Sequence, residues 1–251
     1  MRNFISDKMS TIGLSGIRKV NEKALAMERA GKKVIHFEIG RPDFDTPEYI
    51  KKAAVSSLNR GEVFYTSNLG DMGLREAIAE KLNKQNHIPY KAENIMVSVG
   101  LSEAIFDALM AILDEGDELL VLVTPNNPTG STLTRETLDG LAKIAIEKDI
   151  LVFADEVYER LIYDGAEHVS IASLPGMLER TFTFNGFSKA YSMTGWRLGY
   201  VAAPVEYVKE VNKLHQNAVT CAPSFVLKAG IVALRDEGNE VAEMVEEYKR
   251  R

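Results

Sequence analysis

Short apolar runs of strand length alternate with longer stretches of helical periodicity along most of this chain of 251 residues. Parallel neighbouring strands need a crossover connection of a dozen or more residues, usually a helix, so this alternation is typical of βαβ units. The sequence therefore predicts an α/β fold with a mostly parallel sheet. The predicted strands are Val34–Ile39, Ile95–Val99, Leu119–Val123, Ile150–Ala154, Thr181–Phe184 and Leu198–Ala202.

Helical spacing fills most of the sequence between these strands. The predicted helices are Ile17–Ala30, ended by Gly31, then Glu48–Asn59, Gly73–Gln85, one through Ile105, Leu109 and Ile112, Arg135–Lys148, and a long charged helix near Arg251. The stretch Arg41–Pro47 contains two prolines and flanking aspartates, which break both periodicities. We therefore place a domain boundary near it.

Charge and cysteine content exclude several classes of function. The formal charge is −6 without a long basic block, so the chain has no surface suited to a nucleic-acid backbone. A single cysteine, Cys221, cannot form an intrachain disulfide. The four histidines are scattered and predict no metal site. The segment Met1–Lys8 is charged where a signal peptide needs an apolar core, and no apolar run approaches membrane-spanning length, which predicts a cytoplasmic protein without a membrane partner.

Polar groups follow four of the predicted strands at the point where each strand ends. They are Gly100, Asn127, Asp155 and Lys189. In an open parallel sheet, ligands bind outside the carboxyl ends of the strands. The sequence therefore predicts one cleft at which these four strand ends converge.

Three motifs in this part of the chain have a recognisable order. They are NNPTG at Asn126–Gly130, DEVY at Asp155–Tyr158 and SKAYSMTGWRLGY at Ser188–Tyr200. Together they resemble the class I/II aminotransferases, which belong to the fold type I pyridoxal-phosphate superfamily, and the similarity extends from about Ser15 to Arg251. The resemblance implies a three-layer α/β/α large domain with part of a small domain, and pyridoxal 5'-phosphate as cofactor.

The resemblance also implies a role for four side chains at the cofactor ring. Lys189 is the expected imine-forming amine and proton carrier, and Asp155 is expected to pair with the ring nitrogen. Tyr158 and Asn127 are expected to face the phenolic oxygen. Each residue taken alone has a simpler interpretation: a surface lysine, a helix-capping aspartate, a tyrosine at the edge of the core and an Asn-Pro turn.

A second set of residues is expected to hold the cofactor phosphate. Gly100, Leu101 and Ser102 begin a helix, whose N-terminal N–H groups bind anions, and Ser102 is alternatively a simple N-cap. Arg197 lies where the family has its phosphate-binding arginine, and its planar guanidinium suits a phosphate. Ser188 is expected to add a contact.

Two further residues carry expectations about assembly and substrate. Tyr65 resembles the family residue that reaches across a dimer interface to the partner's phosphate, which implies a homodimer, although a loop tyrosine before a helix is an equal alternative. Gly40 resembles the glycine loop on the substrate side of the cleft, where Asn127 is also expected to contact the substrate.

The chain departs from the family pattern in two places. The run Leu119–Val123 is long enough for one strand, whereas the family has two strands and a segment with a ring-stacking aromatic residue there, so a segment is expected to be missing near residues 120–121. The chain also ends at Arg251, before the small domain and its carboxylate-binding arginine. We accordingly expect residues 1–43 to form an N-terminal arm with part of the small domain, and 44–251 the large cofactor domain. Either these are ordered pieces of a longer protein, or the chain is a true truncation.

Three functions remain open at this stage. The first is an aminotransferase that moves an amino group between an L-amino acid and a 2-oxo acid in a ping-pong cycle. The second is a carbon–sulfur lyase with the same cofactor, and the third is a cofactor-binding remnant without turnover. A plain nucleotide-binding domain is disfavoured, because the chain lacks a Walker-type loop and a Gly-x-Gly-x-x-Gly run.

Overall fold

The computed structural model describes residues 4–235 and 238–251. The chain divides into two compact units, Met1–Pro42 and Asp43–Arg251. The first unit contains a 3-10 turn, Asp7–Ser10, and helix α1, Gly16–Arg29. The first three residues of the charged segment Met1–Lys8 lie outside the described residues. No helix among the described residues combines the length and the apolar character needed to cross a membrane.

The predicted strand Val34–Ile39 is wrong, because these residues adopt no strand conformation. Side chains hold the segment near α1 instead: Asn21 donates to Glu38 at 2.9 Å, and His36 contacts the same carboxylate at 2.7 Å. A strand needs a partner for its backbone groups, and the described part of this unit has none. Phe37, which the alternating pattern would bury, is 91% exposed.

The second unit is built around a five-stranded sheet. Its strands are β1, Ile95–Ser98, β2, Leu119–Val123, β3, Leu151–Asp155, β4, Thr181–Gly186, and β5, Gly199–Ala202. Their spatial order is β1-β5-β4-β3-β2. Strands β2, β3 and β4 are parallel, and β5 runs antiparallel to both of its neighbours. Strands β1 to β4 therefore share one direction, which confirms the predicted α/β fold with a mostly parallel sheet.

Seven helices surround the sheet in the described part of this unit. They are α2, Glu48–Asn59, α3, Met72–Gln85, α4, Leu101–Ile112, α5, Arg135–Glu147, α6, Val205–Ala218, α7, Ser224–Arg235, and α8, Glu240–Arg250. Side chains cap two of them: Asp71 accepts a hydrogen bond from Leu74 N at the start of α3, and Thr134 accepts one from Thr137 N at the start of α5. None of the helices predicted from the sequence corresponds to α6 or α7.

Alternation along the strands divides the core between the two faces of the sheet. On one face, Phe153 contacts Phe182 and Phe184 with ring centroids 4.8 and 4.9 Å apart, and α4 and α6 cover these rings. On the other face, Val152 packs with Leu138 of α5, and helices α2, α3 and α7 cover the sheet around β1 and β5. This packing fixes the strand ends from which the polar loops begin.

Candidate active site

Asp155 is the last residue of β3 and lies in the middle of the sheet edge. Its partners in register are Val123 of β2 and Phe184 of β4. The half-buried carboxylate accepts a hydrogen bond from Val157 N at 3.1 Å. Turns follow Asp155, so it caps no helix, and the helix-capping alternative is wrong. Burial raises the pKa of the Asp155 carboxyl, and the hydrogen bond from Val157 N and, to a smaller extent, the charge of Lys189 oppose this shift.

Lys189, Tyr158 and Asn127 come together beside this strand end. The Nζ atom of Lys189 lies 5.4 Å from the centre of the Tyr158 ring. Asn127 Nδ2 donates a hydrogen bond of 2.8 Å to Tyr158 Oη. The three side chains belong to the loops after β4, β3 and β2, so strand ends that are distant in sequence converge. Ser188 precedes Lys189 and is half-buried.

The beginning of α4 forms a second part of the site. Gly100 occupies the N-cap position with φ of +83°, a left-handed value that favours glycine. A Cβ atom at Gly100 would lie 2.3 Å from the guanidinium of Arg197. A Cβ atom at Gly199 of β5 would lie 2.8 Å from Leu101 N. The two glycines therefore allow the helix start, the strand and the guanidinium to approach closely, which creates an anion-binding geometry.

Arg197 and Ser102 face solvent at this helix start. Arg197 is exposed, has φ of +54°, and donates from Nη1 to Thr194 O at 3.1 Å. Ser102 is the second residue of α4 and is exposed. Because Gly100 is the N-cap, the alternative that Ser102 caps the helix is wrong. The hydroxyl of Ser102 is thus placed at the same end of α4 as the free N–H groups.

Tyr65 and Gly40 lie outside the group of contacts just described. Tyr65 belongs to the loop between α2 and α3, is 86% exposed, and lines a surface cavity together with Cys221 and Phe225. Gly40 belongs to the first unit. The roles of both residues, across a dimer interface and at the substrate, stay predictions.

A buried charged cluster next to the site was not predicted from the sequence. We call it the inner cluster; it consists of Lys81, Glu156, Glu159 and His168. The Lys81 ammonium pairs with the Glu159 carboxylate, and His168 Nε2 lies 3.2 Å from Glu156 Oε2. All four side chains are at most 10% exposed. No sequence pattern predicts this cluster, because its residues come from separate segments of the chain. One of them, Glu156, directly follows Asp155 in the DEVY motif.

Amide groups donate further hydrogen bonds within this cluster. Asn86 and Asn185 each donate a hydrogen bond of 2.7 Å to the Glu159 carboxylate. Burial alone would raise the pKa of Glu159, but the Lys81 charge and the Asn86 amide outweigh it, so the pKa is lowered. The pKa of His168 is raised, because Glu156 outweighs the effect of burial.

Comparison with known proteins identifies aminotransferases among the relatives of this chain. The family model described as "Aminotransferase class I and II" matches residues 32–122 and 106–251. The chain is 40% identical to the aspartate aminotransferase of Pyrococcus abyssi, over 98% of this chain and 76% of that protein. It is 37% identical to the aromatic-amino-acid aminotransferase 2 of Thermococcus litoralis, with the same coverage.

Solved structures agree with these matches. The aspartate aminotransferase of Thermus thermophilus with maleate superimposes with a TM-score of 0.92 at 32% identity, over 100% of this chain and 77% of that one. The aspartate aminotransferase of Rhizobium meliloti gives a TM-score of 0.93 at 32% identity, over 99% of this chain and 75% of that one.

The matches also contain an internal gap. The match to the Pyrococcus abyssi protein spans 299 residues, whereas the chain has 251, so at least 48 positions of that match have no counterpart here. The family model aligns in two parts that overlap at residues 106–122. This overlap contains the end of α4 and most of β2, where β2 forms an edge of the sheet.

Proposed function

The chain belongs to the class I and II aminotransferase family, and we propose from this premise that it transfers an amino group between an L-amino acid and a 2-oxo acid. The family uses pyridoxal phosphate. The observation that carries the proposal is the convergence of Lys189, Tyr158 and Asn127 beside Asp155 at the carboxyl end of the sheet.

The described residues fit this cofactor by charge and by space. A phosphate dianion matches the Arg197 guanidinium and the N–H groups at the start of α4, where the absent Cβ of Gly100 makes room for the guanidinium. The half-buried Asp155 carboxylate matches a protonated ring nitrogen, and Lys189 offers the amine. When bound, the cofactor supplies a conjugated ring that takes up the electron pair released at the α-carbon of the substrate.

Each side chain of the site then has a defined task. Asp155, through its negative charge, holds a proton on the nitrogen that it faces. Tyr158 Oη and Asn127 Nδ2 donate hydrogen bonds to an oxygen anion and lower the pKa of its conjugate acid. Lys189 Nζ carries a proton to and from the substrate α-carbon, as a general base and then a general acid. Arg197 keeps the phosphate, and with it the reacting group, in one orientation.

The names of the relatives support a substrate class. Because the matched proteins are named as aspartate and aromatic-amino-acid aminotransferases, we place the amino donor among these amino acids, with a 2-oxo acid as acceptor. We also propose a homodimer in which Tyr65 reaches the partner's site, as the resemblance implies. The carbon–sulfur lyase alternative predicts pyruvate from cystathionine without amino transfer.

Cofactor attachment and amino transfer can be tested separately. The purified chain is incubated with pyridoxal phosphate, reduced with borohydride and weighed intact; we expect a cofactor-sized mass gain that Lys189→Ala abolishes. Lys143→Ala, at a lysine of α5 that is 76% exposed, serves as the matched control and should keep the gain. Transfer from aspartate or an aromatic amino acid to 2-oxoglutarate is then measured on the same three proteins.

The outcomes of these two measurements separate the hypotheses. Mass gain with transfer supports the aminotransferase. Mass gain without any turnover favours a chain that binds the cofactor but lacks a finished substrate site. The internal gap of at least 48 positions is the observation that favours this second candidate. No gain on the wild-type chain contradicts the role of Lys189.

A further inference from the structure

A second buried group of two carboxylates and a histidine lies between α4 and α6. Glu103 and Asp107 stand one turn apart on α4, and His215 projects from α6. His215 Nδ1 lies 2.6 Å from Glu103 Oε1 and 3.9 Å from Asp107 Oδ2. One ligand atom from each residue lies within 4.8 Å of the other two. Three side chains capable of binding a metal therefore converge on one point.

Among the described residues, His215 is the only side chain in an ion-pair contact with these two carboxylates. The inner cluster contains Lys81, whereas the described residues place no lysine or arginine in an ion pair with Glu103 or Asp107. Buried carboxylates are normally paired with a cation or bound to a metal. Two carboxylates without a lysine or arginine partner therefore favour a bound cation between α4 and α6.

A buried oxygen without a partner points to a ligand at the same place. Asp107 Oδ2, in a side chain that is 1% exposed, lies 3.9 Å from His215 Nδ1 and has no hydrogen-bond partner among the described residues. Buried polar groups are nearly always hydrogen-bonded, so this unpaired acceptor calls for a partner that the described residues do not supply, and a cation suits a group of two carboxylates.

We propose that Glu103, Asp107 and His215 bind a divalent transition-metal ion of the Zn²⁺ type. Imidazole nitrogen with carboxylate oxygen is a ligand set that suits Zn²⁺, Mn²⁺ and Co²⁺. Glu103 Oε2 accepts a hydrogen bond from Val99 N at 2.7 Å, which orients its carboxylate towards the site. The ion joins α4 to α6 and acts structurally, so the proposal does not depend on the proposed function.

Thermal unfolding of the chelator-treated, untagged chain tests the site. At a Zn²⁺ concentration near 100 times the dissociation constant we expect the midpoint to rise by roughly 5–10 °C, whereas Mg²⁺ gives no comparable rise. Asp107→Asn keeps the shape of the side chain and should still fold, but it should lose most of the Zn²⁺ response. Titration with Co²⁺ should give a visible absorption band that saturates at one ion per chain and is absent from His215→Gln.

The inner cluster supplies a matched control for this experiment. His168→Gln changes the same residue type in a group with Lys81 in place, and it should keep the full Zn²⁺ response. The proposal is overturned if Zn²⁺, Mn²⁺ and Co²⁺ all leave the wild-type midpoint unchanged. It is also overturned if Asp107→Asn and His215→Gln both retain the response, which would show binding elsewhere. Should Asp107→Asn fail to fold, the Co²⁺ band of His215→Gln decides between these outcomes.

Discussion

Asp155 and Glu159 are carboxylates four residues apart whose pKa values shift in opposite directions. Burial raises the pKa of Asp155 in the candidate active site. Glu159 in the inner cluster is more buried, yet Lys81 and Asn86 lower its pKa. The difference lies in the partners that the chain provides, and not in the depth of burial.

This contrast distinguishes Glu159, whose charge is paired within the fold, from Asp155, whose charge is available to a ligand. The inner cluster is neutralised inside the chain, so its substitutions should cost stability. In the candidate active site, Asp155 is half-buried and Arg197 is exposed. Substitutions there should lower the affinity for the cofactor or the rate of amino transfer and leave the fold intact. The predictions below test this separation.

Lys81→Met is expected to have the largest effect. It leaves the buried Glu159 carboxylate without its cation, and breaking a buried ion pair in this way costs about 3–5 kcal/mol. Denaturant unfolding measures the loss. Lys143→Met, in the exposed i,i+4 pair with Glu147 at 3.8 Å, is the control and should change the free energy of unfolding by less than about 0.5 kcal/mol. Equal losses in the two variants would show that the buried Lys81–Glu159 pair contributes no more to stability than an exposed ion pair does.

Asp155→Asn should show the opposite profile. The free energy of unfolding should stay unchanged, because the carboxylate is half-buried and its contact to Val157 N survives in the amide. We expect the rate of amino transfer to fall by roughly 10²–10³-fold, the usual effect of removing one preorganised electrostatic group. Asp139→Asn on α5, with its carboxylate 53% exposed, should leave both quantities unchanged. A stability loss as large as that of Lys81→Met would place Asp155 among the structural charges.

Gly100→Ala is expected to combine a moderate stability loss with weaker cofactor binding. A Cβ atom at φ of +83° costs about 1–2 kcal/mol, and it also displaces the Arg197 guanidinium. Gly116→Ala is the matched control, because Gly116 has φ of +99° and a Cβ atom there would meet no other atom within 4 Å. Both variants should lose similar stability, but cofactor affinity, measured by fluorescence titration, should fall only in Gly100→Ala. A similar affinity in both would argue against the anion role of Arg197.

The sequence predicts features that depend on neighbours along the chain. Strand Leu119–Val123 and helix Glu48–Asn59 have the predicted bounds, because apolar periodicity and the turn residues around them act locally. The same alternation predicts a strand at Val34–Ile39 wrongly, since a pattern cannot supply the neighbouring strand. Polar residues at strand ends are also predictable, because parallel strands with one direction bring their carboxyl ends to one edge.

Contacts between distant segments are beyond such patterns. His168 and His215 are isolated in the sequence, yet each meets two carboxylates in the fold. Glu156 and Asp155 are adjacent in the DEVY motif, but only the strand geometry shows that one enters the inner cluster while the other stays at the site. The roles of the site residues rest on the family resemblance and stay predictions until Lys189 is tested.

The pH dependence of stability should give the smallest effect. The pKa of His168 is raised by Glu156, so protonated His168 stabilises the folded chain; this contribution is complete below the unfolded pKa of about 6.5 and is lost as the pH rises through the folded value. Glu159, with a lowered pKa, contributes stability above about pH 4.5 that is lost as the pH falls through its folded value.

His168→Gln should therefore flatten the decline in the free energy of unfolding above about pH 6.5 and leave the acid side unchanged. His87→Gln changes an exposed histidine just after α3 and is the control, which should keep the wild-type slope. An unchanged slope in His168→Gln would show that Glu156 carries its charge without the imidazolium. In that case the inner cluster would hold an uncompensated carboxylate, and the contrast with Asp155 would rest on Lys81 and Glu159 alone.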